Sequence, residues 1–334
     1  MNGLSSGNFA SLMVDQDQTV LTINQPTTLE YGDAFRGEIR AEGTAGTMRL
    51  VKTGPGTLRL ESGMVGEGYN YGLYGYGFGG TALPGNPNVI LQVQSGRLVL
   101  GDDFYLEDSS STVWVSGGTL ATVNQYLSNP VVVTGGRLAG TGTYFSPVTL
   151  GAGAVIAPGF DDAHGRIGHL TISHLTAGPD SVYEFDLAGA DPEDYSARDF
   201  LSISTDSTLE ITATSTDPWV IRPVTLNSSG VNGILGGIAP GATYAWSIAY
   251  FQGLSGLALD LDQKPLNVVL DLSAFQPGIA GTTWLHFSTT TIGENTSGTL
   301  SLNFTAVPEP STYALLLLGT GAVVLAARRR RHGR

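Results

Sequence analysis

Cysteine is absent from all 334 residues. That absence excludes disulfides, zinc–thiolate centres and cysteine nucleophiles together. Lysine is nearly missing too, present only as Lys52 and Lys264. Charged residues make up 13% of the chain, about half the ~25% of an ordinary soluble domain, which leaves little material for charged helix faces. Glycine fills the gap: 46 residues, about double the usual ~7% share. The 41% of hydrophobic residues suffices for a core, so the composition indicates an all-β protein rather than a disordered one. The length allows one elongated domain or two ordinary ones.

The net charge of −13 is unevenly spread. Five of the sixteen basic residues lie between Arg328 and Arg334, and residues 1–306 hold 28 acidic against 11 basic side chains, a charge near −17. A body that acidic repels phosphate backbones and has no basic patch with interleaved aromatics, so nucleic acid is not an expected partner. At the front, "MNGLSSGNFASLMVDQDQTV" has neither a basic n-region nor an apolar run of about 7–15 residues. If the tail is a membrane address, the chain is expected to be a fragment or to start upstream of Met1.

Four segments share a Gly-x-Leu pattern: "GPGTLRLESG", "VQSGRLVLGDD", "VSGGTLAT" and "VTGGRLAGTG". Their leucines are Leu58, Leu98, Leu120 and Leu138, at spacings of 40, 22 and 18. A period near 20 with one doubled step predicts a solenoid of short coils. Leu58 and Leu60 share a strand face, as do Leu98 and Leu100, and the preceding glycines supply turns. A right-handed parallel β-helix over 45–206 fits best, because stacking buries leucines that no single coil could bury. Residues 1–44 read as an N-terminal β segment.

The stretch running on from Gly136 resembles the β-helices of autotransporter-associated β-strand repeat proteins. The resemblance rests on Gly136, Leu138, Gly140, Gly142, Pro158, Gly159, Leu170, Ile172, Tyr183, Phe185 and Asp199. Those positions are structural, and the resemblance implies no catalytic set. Residues 64–88 interrupt the pattern with a Gly/Tyr-rich insertion, expected as a mobile loop. Alternatively Tyr69, Tyr71, Tyr74, Tyr76 and Phe78 form a sticky patch for sugar rings or other chains. Over 207–306 the repeats fade into strand-like runs, "TLEITAT", "YAWSIAYF", "LALDLD", "LNVVLDL", "WLHFSTTT" and "GTLSLNFT". These predict an antiparallel β cap or small sandwich that closes the solenoid. In "LALDLD" the leucines Leu257, Leu259 and Leu261 alternate with Asp260 and Asp262, the pattern of a half-buried strand.

Residues 307–334 differ from everything before them. Pro310 to Ala327 are uncharged, and a helix over 311–327 at about 1.5 Å per residue approaches the ~30 Å hydrocarbon thickness. Arg328, Arg329, Arg330 and Arg331 then act as a stop-transfer cluster on the cytoplasmic side, which places the body outside. The order Pro308-Glu309-Pro310, apolar helix, basic terminus resembles the PEP-CTERM sorting signal. That resemblance implies export, anchoring through the membrane helix, and processing near Pro308-Glu309-Pro310 by an exosortase-type membrane transpeptidase. It further implies display at the cell surface or in an exopolysaccharide or biofilm matrix.

Candidate chemistry in the body is sparse. His164, His169 and His174 recur every five residues beside Asp161 and Asp162, but an odd spacing puts neighbours on opposite strand faces. "ADPEDYSARDF" gathers Asp191, Glu193, Asp194 and Asp199. It reads as a solvated loop, with weak Ca²⁺ binding or carboxylate catalysis as alternatives. "GLSGL" at 253–257 lacks the second glycine of a nucleophile elbow, and no phosphate loop occurs. The expectation is a non-enzymatic exported surface protein without metal or cofactor. The alternatives are a polysaccharide lyase or hydrolase on the same scaffold, or a carbohydrate-binding adhesin.

Overall fold

The computed structural model describes residues 10–14, 20–26, 35–41, 47–61, 88–101, 112–124, 126–160, 165–261, 264–292 and 295–307. Nearly all of the regular structure is β, and most of it is parallel. Before the last two strands, successive strands do not pair with one another. Each pairs with the strand one turn earlier, so the chain winds into stacked coils of the β-helix kind.

The reason lies in the inward columns. In the first sheet Leu58, Leu98, Leu120 and Leu138 stand directly in register, and Ile156, Tyr183 and Ile221 continue the same column. In the second sheet Leu91, Val113, Val131, Val148, Leu175 and Leu209 form the matching column. A third, shorter row begins at Tyr126–Leu127 and stacks Leu127, Tyr144, Ile172, Ile203 and Phe251. From there each coil has three sides. All of these side chains are buried, and one continuous core runs from Ile23 to Ala306. Each buried Val, Leu, Ile or Phe contributes about 1.5–3 kcal/mol relative to exposure. β-branched residues suit the second sheet, where "VWV", "VVV" and "VTL" each place two side chains inward and one outward.

The turns from the second sheet to the first are tight. Gly96, Gly118 and Gly136 take φ of +67°, +69° and +82° and stack on one another. A Cβ on Gly118 would enter the carbonyl oxygen of Gly96, and one on Gly136 that of Gly118. Glycine is required here by the close approach of coils as much as by the left-handed backbone. On the outside of the first sheet Val99, Ala121 and Ala139 form a small apolar column with Phe160 packed against it.

The N-terminal strands Ala10–Val14 and Phe35–Ala41 pair in parallel and join the first sheet at Thr57–Glu61, while Val20–Asn24 joins the second. At the other end the structure departs from expectation. Parallel stacking does not stop at 206: Leu209 to Ile211 pair with Leu175–Ala177, Trp219–Thr225 pairs with Val182–Leu187, and Val268–Leu270 closes the first sheet. The coils have lengthened, with column spacings of 27 from Ile156 to Tyr183 and 38 from Tyr183 to Ile221. A stack constrains strand register and leaves loop length free.

Among the described residues, antiparallel ladders longer than a single bridge are confined to three strands. Thr243–Ser255 pairs in parallel with Phe200–Ile211 on one side and antiparallel with Asn295–Ala306 on the other; Gly281–Ile292 completes the hairpin. The predicted strand at "LALDLD" is a turn instead. The Asp260 carboxylate accepts from the Lys264 amide at 2.8 Å, Leu259 bridges Pro265, and Leu261 is fully exposed. The Gly/Tyr-rich insertion up to residue 87 and the tail from 308 lie outside the described residues.

Candidate functional site

The densest polar cluster lies on the outer face of the first sheet, where sequence reasoning did not place one. Alternation in Val182–Leu187 turns Tyr183, Phe185 and Leu187 inward and leaves Glu184 and Asp186 outward. Glu184 accepts from Arg137 Nη1 at 2.8 Å and lies 3.5 Å from Arg222 Nη1; Arg222 Nε donates to Asp271 at 2.8 Å. Arg166 grips Asp186 with two parallel bonds of 2.9 and 3.0 Å, the bidentate geometry that suits a guanidinium. Behind it the buried Asp199 accepts from the amides of Gly168 at 2.7 Å and Asp186 at 2.8 Å.

Burial dominates the electrostatics here. It pushes the Asp186 carboxyl up to about 6, against the pull of the Arg166 bonds. Burial, then the neighbouring Asp186 charge, raises Asp199 well above the ordinary carboxylate range. At the rim the order reverses: the Ser273 amide and the Arg222 guanidinium hold Asp271 below its usual value. Glycoside cleavage needs one carboxyl free to donate a proton and another free to attack or to activate water. In this cluster Glu184 and Asp186 are each matched to guanidinium donors. The arrangement ties together residues 137, 166, 184, 186, 222 and 271, which lie far apart in sequence.

The predicted acidic loop does not converge. Asp191 accepts from the Glu193 amide at 2.9 Å, and Asp194 accepts from the Ser196 amide at 2.9 Å and hydroxyl at 2.6 Å, capping the short 3₁₀ turn Tyr195–Ala197. Those Ser196 bonds lower the Asp194 pKa. Asp191, Glu193 and Asp194 are surface or near-surface turn residues, whereas Asp199 is 1% exposed and faces the Asp186 backbone. Arg198 is buried between them. Its Nε donates to Ser247 O at 2.9 Å, its Nη1 to Pro192 O at 2.7 Å, and its guanidinium lies 4.0 Å over the Tyr195 ring.

The histidines are also separate. His169 Nε2 is 3.2 Å from Tyr195 O, His174 Nε2 is 3.6 Å from Glu210, and His164 with Asp161 and Asp162 lies outside the described residues. Among the described residues no group of three or more His, Asp and Glu side chains is placed to share a metal ion. Ser255 of "GLSGL" ends the strand Thr243–Ser255 and enters a bend rather than a helix.

The last strand, Asn295–Ala306, delivers the chain to the surface. Ala306 N donates to Ala242 O at 2.9 Å and Val307 N to Ala280 O at 2.8 Å, with Val307 half-exposed. Pro308, Glu309, Pro310 and Arg328 to Arg331 follow outside the described residues. Among the described residues no helix is long and apolar enough to cross a membrane. No curated protein matches the chain. No solved structure matches it either. A family of sorting signals does: residues 306–331 match the PEP-CTERM protein-sorting motif, from the final residue of the last strand to the fourth consecutive arginine.

Proposed function

We propose that this chain is an exported, non-enzymatic surface or matrix protein whose β-helical body is delivered by its C-terminal sorting signal. The single observation that carries the reading is the sorting-motif match at residues 306–331. In this reading the apolar segment 311–327 anchors the precursor in the membrane, with Arg328 to Arg331 on the cytoplasmic side and the body outside. An exosortase-type transpeptidase then acts near Pro308-Glu309-Pro310. The hand-over at the exposed Val307 suits such a step, because cleavage beyond it leaves the final strand whole. The in-register columns from Leu58 to Leu138 support the likeness to autotransporter-associated β-strand repeats. An exopolysaccharide or biofilm matrix is the proposed destination.

The test is intact mass and fractionation after expression in a host that has the sorting system. A product ending near Pro308-Glu309-Pro310 outside the membrane fraction is expected, and Glu309→Ala should block its formation. A wild-type product that keeps Arg334 in the membrane overturns the processing step. The non-enzymatic part is checked by incubation with neutral and anionic polysaccharides. Chain shortening that disappears in Asp194→Asn or Asp186→Asn would overturn it.

A further inference from the structure

In the strands "VWV", "VVV" and "VTL" of the second sheet the outward side chain is Trp114, Val132 and Thr149, so one coil presents an indole where the next two present smaller groups. The column through Gln92 continues as Trp114, Val132, Thr149 and Thr176. Beside the indole the surface sinks into a groove of about 270 Å³ lined by Arg49, Ile90, Gln92 and Trp114. Register explains the grouping. Arg49 stands opposite Ile90 and Gln92 opposite Trp114, while Ile90 and Gln92 are two apart on one strand. The intervening Leu50, Leu91 and Val113 are buried, so all four groove residues belong to the outer face. The groove therefore crosses three successive strands, a span of about 10 Å at ~4.8 Å per strand.

Its chemistry is specific. Trp114 is 38% exposed and has no aromatic partner among the described residues. The Gln92 amide is steadied by donating to Ser116 Oγ at 3.3 Å, one coil further on. Arg49 is exposed and, among the described residues, has no carboxylate partner, although the body carries 28 acidic side chains. Among the described residues neither the indole nor the guanidinium has a ring or ion-pair partner. An apolar floor, a stacking ring, an amide and an uncompensated cation within about 10 Å match the two faces of a pyranose. Its C–H face lies on the indole, its hydroxyls meet the amide, and a ring carboxylate meets the guanidinium. At physiological ionic strength charge acts over only ~8 Å, so Arg49 sets the local potential while the rest of the acidic body is largely screened.

We infer that the groove formed by Arg49, Ile90, Gln92 and Trp114 is a glycan-binding site that takes about two residues of a uronic-acid-bearing polysaccharide. The inference gives the proposed matrix protein a ligand class and rests on that reading for its setting, but it is tested on the unprocessed chain, so a failure of sorting would leave its result intact. Full-length protein in mild detergent at 0.15 M NaCl is titrated with galacturonate hexamer and with the same hexamer methyl-esterified. The acidic form should bind about tenfold more tightly, the scale of one charge-assisted contact. Arg49→Gln should erase that preference and leave residual binding, and Trp114→Ala should remove binding of both forms. Both side chains face outward, so an unchanged circular dichroism spectrum and urea midpoint confirm that each variant is folded. Equal binding of the two hexamers, no binding of either, or a preference that survives Arg49→Gln overturns the inference.

Discussion

Gly118 and Gly153 each sit third after the last residue of a second-sheet strand, with nearly equal φ of +69° and +71°. Alanine at either position meets the same left-handed strain, about 1–2 kcal/mol. Part of this is offset by the ~0.4–1 kcal/mol that Gly→Ala removes from the unfolded chain's freedom. Gly153→Ala should therefore cost about 1 kcal/mol, since its new Cβ meets no atom within 4 Å. The next coil supports the figure, because Asp180 occupies the corresponding turn position at φ +52°. Gly118→Ala differs in what lies opposite. Its Cβ enters the Gly96 carbonyl and the Ser95 backbone, neither of which can swing aside as a side chain would. That same carbonyl accepts the Thr119 amide at 2.8 Å. Spreading the coils endangers the bond, and a buried acceptor left unmet costs about 1–3 kcal/mol. The sum is about 2–4 kcal/mol. Urea midpoints of the two variants, read by circular dichroism, decide the matter. Comparing midpoints is safer than extrapolated free energies, because a long stack need not unfold in one step. A Gly118→Ala variant within about 1 kcal/mol of Gly153→Ala would refute the claim that coil contact, rather than backbone conformation, makes these glycines necessary.

Leu120→Ala, in the middle of the first column and fully buried, should cost about 2–5 kcal/mol, whereas Thr149→Ala on the outside should stay within about 0.5 kcal/mol; equal losses in thermal melts would contradict the inward assignment. Tyr183→Phe removes a hydroxyl that donates to Ile248 O at 2.6 Å across the interior, and a loss of about 1–3 kcal/mol is expected. Stability should rise as pH falls from about 7 to 5. The folded Asp186 titrates near 6 against an unfolded value of 3.8, so the folded state holds its proton more tightly and that contribution is lost as pH rises through 6. The full shift is worth about 3 kcal/mol and is reached only below the unfolded value, so between pH 7 and 5 the gain is about 1.3 kcal/mol. Asp186→Asn should flatten the dependence, which melting temperatures across that range will reveal, and an unchanged slope would count against the burial argument.

Leu58, Leu98, Leu120 and Leu138 were legible because each follows a glycine turn and recurs at a period near 20 with one doubled step. Ile156 and Ile221 occupy the same column and were not legible, and Tyr183 was named only through the resemblance, not by the period. A solenoid interior asks for an apolar side chain at a register position, and once loops lengthen, neither the residue type nor the period marks it. Residues 207–306 therefore read as a separate antiparallel cap, although Trp219–Thr225 and Val268–Leu270 extend the parallel stack. The runs "WLHFSTTT" and "GTLSLNFT" were legible as antiparallel strand material, and the structure joins them as the hairpin of Gly281–Ile292 and Asn295–Ala306, since long alternating runs linked by a short turn pair locally. "LALDLD" misled because alternation alone does not place a strand. Asp260 and Pro265 close a turn there before any partner strand is reached.

Outer-face sites escaped the sequence for a related reason. "VYEFDL" gives away that Glu184 and Asp186 share a face, but their partners Arg137, Arg166 and Arg222 come from other turns of the chain at unrelated spacings. Arg49 and Trp114, 65 positions apart in sequence, are likewise brought within one groove. In a stacked fold the inside column is constrained by volume and the outside column by almost nothing, so small residues are its default. A large aromatic on that column gains no core packing, and its exposed apolar surface is free to be covered by a ligand. Its presence at Trp114, next to a cation with no ion-pair partner among the described residues, is accounted for when something outside the chain covers both.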